Sequence, residues 1–126
     1  MSTSPSSRQT SAEAEYERGN ACYRAEDFVG AVAAYEGATA LLTPRDDPWA
    51  ADLYENLGLA LWQLGRWLPA ARALLRVLDG APAGREQSLR VLVSCLFRAG
   101  RALDGERHLR AYEAAFGPHP EGWRQL

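Results

Sequence analysis

The chain has no lysine and no isoleucine, one methionine and two cysteines. All fourteen cations are therefore arginines, planar forks suited to carboxylates and aromatic faces rather than point charges. This bias fits a GC-rich bacterial genome. Two cysteines, Cys22 and Cys95, are too few for a disulfide framework. A net charge of −2 offers no basic stripe for nucleic acid. No apolar run approaches the roughly 20 residues that span a bilayer, so no membrane insertion is expected. Residues 1–10 contain no apolar segment of the kind a secretory signal needs, and they read as a disordered N-terminal tail. No stretch alternates apolar and polar residues, so no strand is predicted. His108 and His119 stand apart from the cysteines, with no metal-ligand spacing and no glycine-rich phosphate loop. Glu13 with Glu17, and Asp46 with Asp47, sit where helix starts favour acids. Composition and motif together predict no catalytic site, no metal and no cofactor.

What the chain does have is a repeated phrase. Gly19 to Gly58, Phe28 to Trp67, Ala31 to Ala70 and Tyr35 to Leu74 are each 39 residues apart. Tyr54 to Leu89, Leu57 to Leu92, Leu61 to Leu96, Gly65 to Gly100 and Leu74 to Leu109 are each 35 apart. A sustained period near 34 residues with small and aromatic anchors predicts a stacked array of helical hairpins. One hairpin cannot bury its own apolar face, so about three are needed for stability.

The local signals predict six helices. Thr10 and Glu13 have the spacing of a capping box, which places the first helix over about 11–25. Its stripe is Ala12, Glu15, Gly19 and Cys22, beside Tyr16, Asn20 and Tyr23. Asp27 is positioned to cap a second helix carrying Phe28, Ala31, Val32, Tyr35 and Ala38 as far as about Leu42. Residues 43–47 read as a linker that accounts for most of the longer first interval. Asp47-Pro48 signals the start of a third helix, about 48–64, with Leu53, Tyr54, Leu57, Leu61 and Leu64 inward. Gly65 fits a left-handed helix stop. The fourth helix covers about 67–79, with Pro69 tolerable in its first turn. The fifth covers about 84–99 and the sixth about 102–116, stopped by Gly117-Pro118. Cys22 and Cys95 thus fall on the first and fifth helices, too far apart for the roughly 7 Å Cα separation a disulfide allows. They are predicted to be reduced thiols packed as small hydrophobes, which fits a cytoplasmic location.

These residues resemble the tetratricopeptide repeat (TPR) family across three repeats, about 12–44, 51–82 and 86–117, within a domain of 11–117. The second repeat matches best, through Tyr54, Leu57, Gly58, Leu61, Gly65, Trp67, Ala70, Leu74 and Pro82. The first departs at Glu15 and Arg18, where the family has apolar residues. The third has Val93 at the small helix-contact place, Gly105 where alanine is usual and Ala102 for the aromatic. The resemblance implies an all-α, right-handed superhelical array whose first helices line a concave groove.

Mapped onto this chain, that groove takes Glu13, Tyr16, Asn20, Tyr23 and Arg24 from the first helix. It takes Asp52, Glu55, Asn56, Leu59, Trp62 and Gln63 from the third, and Gln87, Arg90, Ser94, Phe97 and Arg98 from the fifth. Tyr23, Trp62 and Phe97 recur at one place per repeat and are expected to form an aromatic row beside Arg24, Arg90 and Arg98. Aromatics and arginine dominate interface hot spots. One TPR subfamily grips C-terminal carboxylates of heat-shock chaperones with two Asn and three basic side chains. Asn20 and Asn56 match its Asn places, but its basic places hold Tyr16, Gln87 and Val91, with Arg24 or Arg90 as partial substitutes.

An array also needs a polar cap on its last repeat. Without a seventh helix, the face around Leu103, Leu109, Tyr112 and Phe116 is expected to be open unless the tail folds back. Either residues 118–126 fold back over it, with Trp123 and Leu126 as covers, or it meets a second copy or another protein. The expected function is a protein-interaction module, an adaptor or specialised chaperone or assembly factor, holding a partner protein or peptide in the groove. A self-associating scaffold and an accessory subunit of a partner enzyme are the alternatives.

Overall fold

The computed structural model describes residues 5–42, 49–80 and 85–121. Asp46, Asp47, Pro48, Pro82, Trp123 and Leu126, which carry sequence-based expectations, lie outside them. Six helices follow in order: α1 (Pro5–Arg24), α2 (Phe28–Leu41), α3 (Ala50–Gln63), α4 (Trp67–Gly80), α5 (Glu86–Arg98) and α6 (Ala102–Phe116). There is no strand among the described residues. Each helix packs on the next, and α3 also touches α1 and α5. The protein is thus all-α, three antiparallel hairpins stacked side by side, with α1, α3 and α5 forming one layer and α2, α4 and α6 accompanying them.

The helices pair closely because of what stands at their crossings. A Cβ added to Gly58 would lie 2.7 Å from the Leu74 side chain and 3.4 Å from the Ala70 carbonyl oxygen. α3 and α4 can approach that far only because Gly58 and Ala70 are small. The third hairpin carries its small residue on the opposite helix. Val93 is fully buried on α5, and the glycine stands on α6 as Gly105, where a Cβ would meet the Phe97 ring at 3.0 Å. Leu53, Leu74, Leu92 and Leu109 fill the spaces between hairpins, with almost none of their surface exposed.

The three hairpin turns share one hydrogen-bond pattern. In the second, the Arg66 N–H donates to the Leu61 carbonyl at 3.0 Å and the Gly65 N–H to Trp62 at 3.0 Å. In the third, Arg101 donates to Leu96 at 2.8 Å and Gly100 to Phe97 at 3.1 Å. These are left-handed glycine stops, with φ of 72° at Gly65 and 78° at Gly100. The first turn repeats the pattern, Asp27 to Cys22 at 2.8 Å and Glu26 to Tyr23 at 2.9 Å, but the left-handed residue is Glu26, with φ of 61°. Asp27 then caps α2 as expected, accepting the Gly30 N–H at 3.0 Å.

The start of α1 is a correction. The helix begins at Pro5, so Thr10 and Glu13 lie inside it and form no capping box. Proline suits a first turn, where its missing N–H would have had no intrahelical partner. α3 starts at Ala50 behind Trp49, which makes no side-chain cap bond.

Candidate partner-binding groove

The layer of α1, α3 and α5 carries every residue mapped to the groove, and the structure divides them into three groups. The first group joins α1 to α3. Asn20 Oδ1 accepts from the Tyr35 hydroxyl at 2.6 Å and from Asn56 Nδ2 at 3.3 Å. Asn56 Nδ2 also donates to the Tyr16 hydroxyl at 3.0 Å. The Tyr16 ring stacks on Trp49, with centroids 5.2 Å apart. Loss of water raises the pKa of both Tyr16 and Tyr35 above the ordinary tyrosine value. The two asparagines that match the carboxylate-gripping subfamily are therefore bonded to each other and to tyrosines. The third basic place of that subfamily is the buried Val91, which has no charge to offer.

The second group joins α3 to α5. Arg85 Nη1 lies 2.9 Å from Asp52 Oδ1 and 3.7 Å from Glu55 Oε1. Ser88 donates to the other oxygen of Glu55. Glu55 is thus held by α5 and is not an open groove acid. Leu59, 8% exposed, belongs to the core rather than to an open face, and Ser94 is covered as well, at 1% exposure.

The third group is the aromatic and arginine set. Tyr23, Trp62 and Phe97 are each half-buried. Tyr23 meets Phe28 edge-on at 5.2 Å. Trp62 packs against the core. Phe97 lies over Gly105 and fills the space left by the missing side chain on α6. The sequence signal for that last placement was present in the substitution of glycine for the usual alanine. Glu13, Arg24, Gln63 and Gln87 are exposed. Arg90 pairs with Glu86 at 3.2 Å, and Glu86 also accepts from the Tyr112 hydroxyl at 2.7 Å. The Arg98 guanidinium sits 5.3 Å above the Trp67 ring, a cation–π contact.

At the C-terminal end, the segment after α6 returns onto the last hairpin. Leu109 and Tyr112 are buried, not open, and His119 accompanies them at 6% exposure. The His119 ring centroid lies 4.9 Å from that of Tyr112. Its Nδ1 accepts the Glu121 N–H at 3.1 Å, so Nε2 carries the proton and donates to the Arg90 carbonyl at 3.0 Å. Leu103 and Phe116 remain exposed, as expected. The sequence reading did not single out His119, because a histidine between two prolines carries no periodic signal.

Both cysteines are free thiols. Burial pushes the Cys95 thiol up to about 12, so it is protonated and unreactive at neutral pH. His108 is half-buried on α6 rather than fully at the surface, and that burial lowers its pKa below the ordinary histidine value. No helix of the described residues is long and apolar enough to cross a membrane.

No protein-family model matches the sequence, and no curated protein matches it. Among solved structures, the N-terminal domain of stress-induced protein-1 (STI-1) from C. elegans is similar, with a TM-score of 0.69 over 94% of this chain and 93% of that one. The two sequences are 17% identical, so what this chain shares with that domain is its fold.

Proposed function

We propose that this chain is a protein-interaction module of the tetratricopeptide type, binding a partner protein or peptide segment along the layer of α1, α3 and α5. It acts by holding that partner, as an adaptor or specialised chaperone, and performs no chemistry of its own. The observation that carries this reading is the shared layer itself. Three parallel helices present the half-buried rings of Tyr23 and Trp62, flanked by exposed Arg24 and Gln63, on a scaffold cross-linked from below. Such a surface is prepaid in conformational entropy, since its helices do not reorganise on binding. The fold-level likeness to a domain of stress-induced protein-1 supports the repeat architecture. Burial of Leu109 and Tyr112 favours this face over end-to-end stacking through the last repeat.

The test is co-purification of a partner with the wild-type chain and with the double variant Arg24→Glu, Trp62→Ala. Loss of an interface hot spot removes about 2 kcal/mol or more, so binding should fall at least about 30-fold while far-ultraviolet circular dichroism stays unchanged. A partner that binds the double variant with wild-type affinity would remove this face from consideration.

A further inference from the structure

Residues 117–121 return to α5 after the last helix. Gly117, with φ of 89°, turns the backbone away from α6, and the segment then runs back onto α5. His119 anchors it between Tyr112 and the Arg90 carbonyl. Two residues on, the Glu121 carboxylate reaches α5. Its Oε2 lies 3.4 Å from Ser94 Oγ and 3.6 Å from Arg98 Nη2. Arg98 Nε donates to the same Ser94 hydroxyl at 3.3 Å, and its guanidinium rests on the Trp67 ring.

Both charged groups of this contact reach solvent, and the serine between them is fixed in the helix. Ser94 is 1% exposed, in the middle of α5. Arg98 is oriented by three different neighbours, Ser94, Trp67 and Glu121. Ser94 and Trp67 still orient the guanidinium when Glu121 leaves, so it keeps its place as a carboxylate receptor. The arriving carboxylate makes long contacts, with its side chain 33% exposed and that of Arg98 46%. Exposed ion pairs of this kind hold weakly and yield to competitors. Ser94 and Arg98 are none of the places at which the carboxylate-gripping subfamily binds, which here hold Tyr16, Asn20, Asn56, Gln87 and Val91.

We propose that the α5 site of Ser94 and Arg98 is the docking point for an acidic side chain on a non-helical partner segment, and that the chain's own Glu121 occupies it at rest. This rests on the reading of the α1, α3 and α5 layer as the binding face, and it names the partner's chemistry there. The resting segment shows the backbone that fits: Pro118 and Pro120 flank His119, and the chain bends at 117–118 and turns at 120–121, without helix. A partner segment displaces 117–121 by presenting a carboxylate to the same pair, and the resting contact screens out segments that lack one.

The test needs no partner protein. The full-length 15N-labelled chain is titrated with a capped peptide, Gly-Pro-His-Pro-Glu-Gly, and with its Glu→Gln counterpart, while the Ser94 and Arg98 amide signals are followed. Glu121→Gln removes the resting carboxylate, so the acidic peptide should half-saturate these shifts at about a fivefold lower concentration than in the wild type, reflecting the larger fraction of open sites. The double variant His119→Ala, Glu121→Gln, checked for an intact helical spectrum, should respond at least as strongly. Arg98→Ala should abolish the response, and the Gln peptide should be weaker throughout. Equal half-saturation in wild type and both variants, equal response to the two peptides, or no response in any chain each overturns the proposal. Because the readout is the chain's own amides, it can fail while a partner still depends on Arg24 and Trp62, and it can succeed while that partner binds elsewhere.

Discussion

The two seams of the inner layer hold equivalent helices together with different chemistry. Between α1 and α3 the cross-links are neutral: Asn20, Asn56 and Tyr16 form one hydrogen-bonded chain, continued to the buried Tyr35 of α2. Between α3 and α5 they are charged: Arg85 grips Asp52 and Glu55, and Ser88 holds Glu55 from the other side. The packing beneath both seams is alike, small residues at crossings and leucines between hairpins. Polar cross-links are therefore interchangeable decoration on a common apolar scaffold, and each seam inherits the sensitivities of its own chemistry. The neutral one ignores salt, and the charged one does not.

The comparison can be broken most forcefully at Asn56. Asn56→Ala removes the donor shared by Tyr16 and Asn20 and leaves part-buried acceptors unmatched, which should destabilise the fold by about 1–2 kcal/mol at any ionic strength. Urea unfolding at low and high salt measures it, and a salt-dependent loss would mean the seam is not neutral. The same seam should weaken only in strong alkali. The Tyr16 and Tyr35 pKa values are raised, so the unfolded chain releases these protons first. Stability is then full below the ordinary value of 10.0 and is lost as pH rises beyond it.

A smaller effect, of opposite sign, is expected at the first turn. Glu26 adopts the left-handed conformation that glycine adopts at Gly65 and Gly100. Glu26→Gly relieves that strain, offset in part by the extra freedom of glycine in the unfolded chain. A net gain of about 0.5–1 kcal/mol should appear as a raised Tm. A lowered Tm would show that Glu26 contributes more through its side chain than it loses through its backbone.

The smallest effect belongs to the charged seam. Arg85→Ala should cost less than about 1 kcal/mol, because Asp52 is half-exposed and the pair is screened. That loss should vanish near 1 M salt, where the Debye length is about 3 Å. A loss that persists there would mean Arg85 acts by packing its aliphatic stem rather than by charge.

Much of this architecture was legible in the chain, and the failures have physical reasons. Gly58, Ala70, Trp67 and Leu74 announce a hairpin because each does one job that few residues can do, and the job recurs at fixed spacing. The start of α1 was misread because Thr10 and Glu13 satisfy a local rule that the helix, continuing back to Pro5, overrides. Glu26 hides a turn that glycine marks elsewhere. Leu59 and Phe97 were assigned to an open face on register alone, and burial is decided by what the neighbouring helix leaves empty, as Gly105 does for Phe97. His119 and Glu121 carry no period at all, so nothing local foretold that they would find Tyr112, Arg90, Ser94 and Arg98.

The order and pairing of six helices follow from the chain alone, since hydrophobic period, small-residue spacing and turn residues are local properties that survive without tertiary contacts. Which inner residues face a partner, and which are consumed in bonds across the seams, was decided only when the hairpins stacked. Those bonds join atoms 33 to 40 positions apart across α1, α3 and α5, and for such pairs only the assembled fold sets the distance.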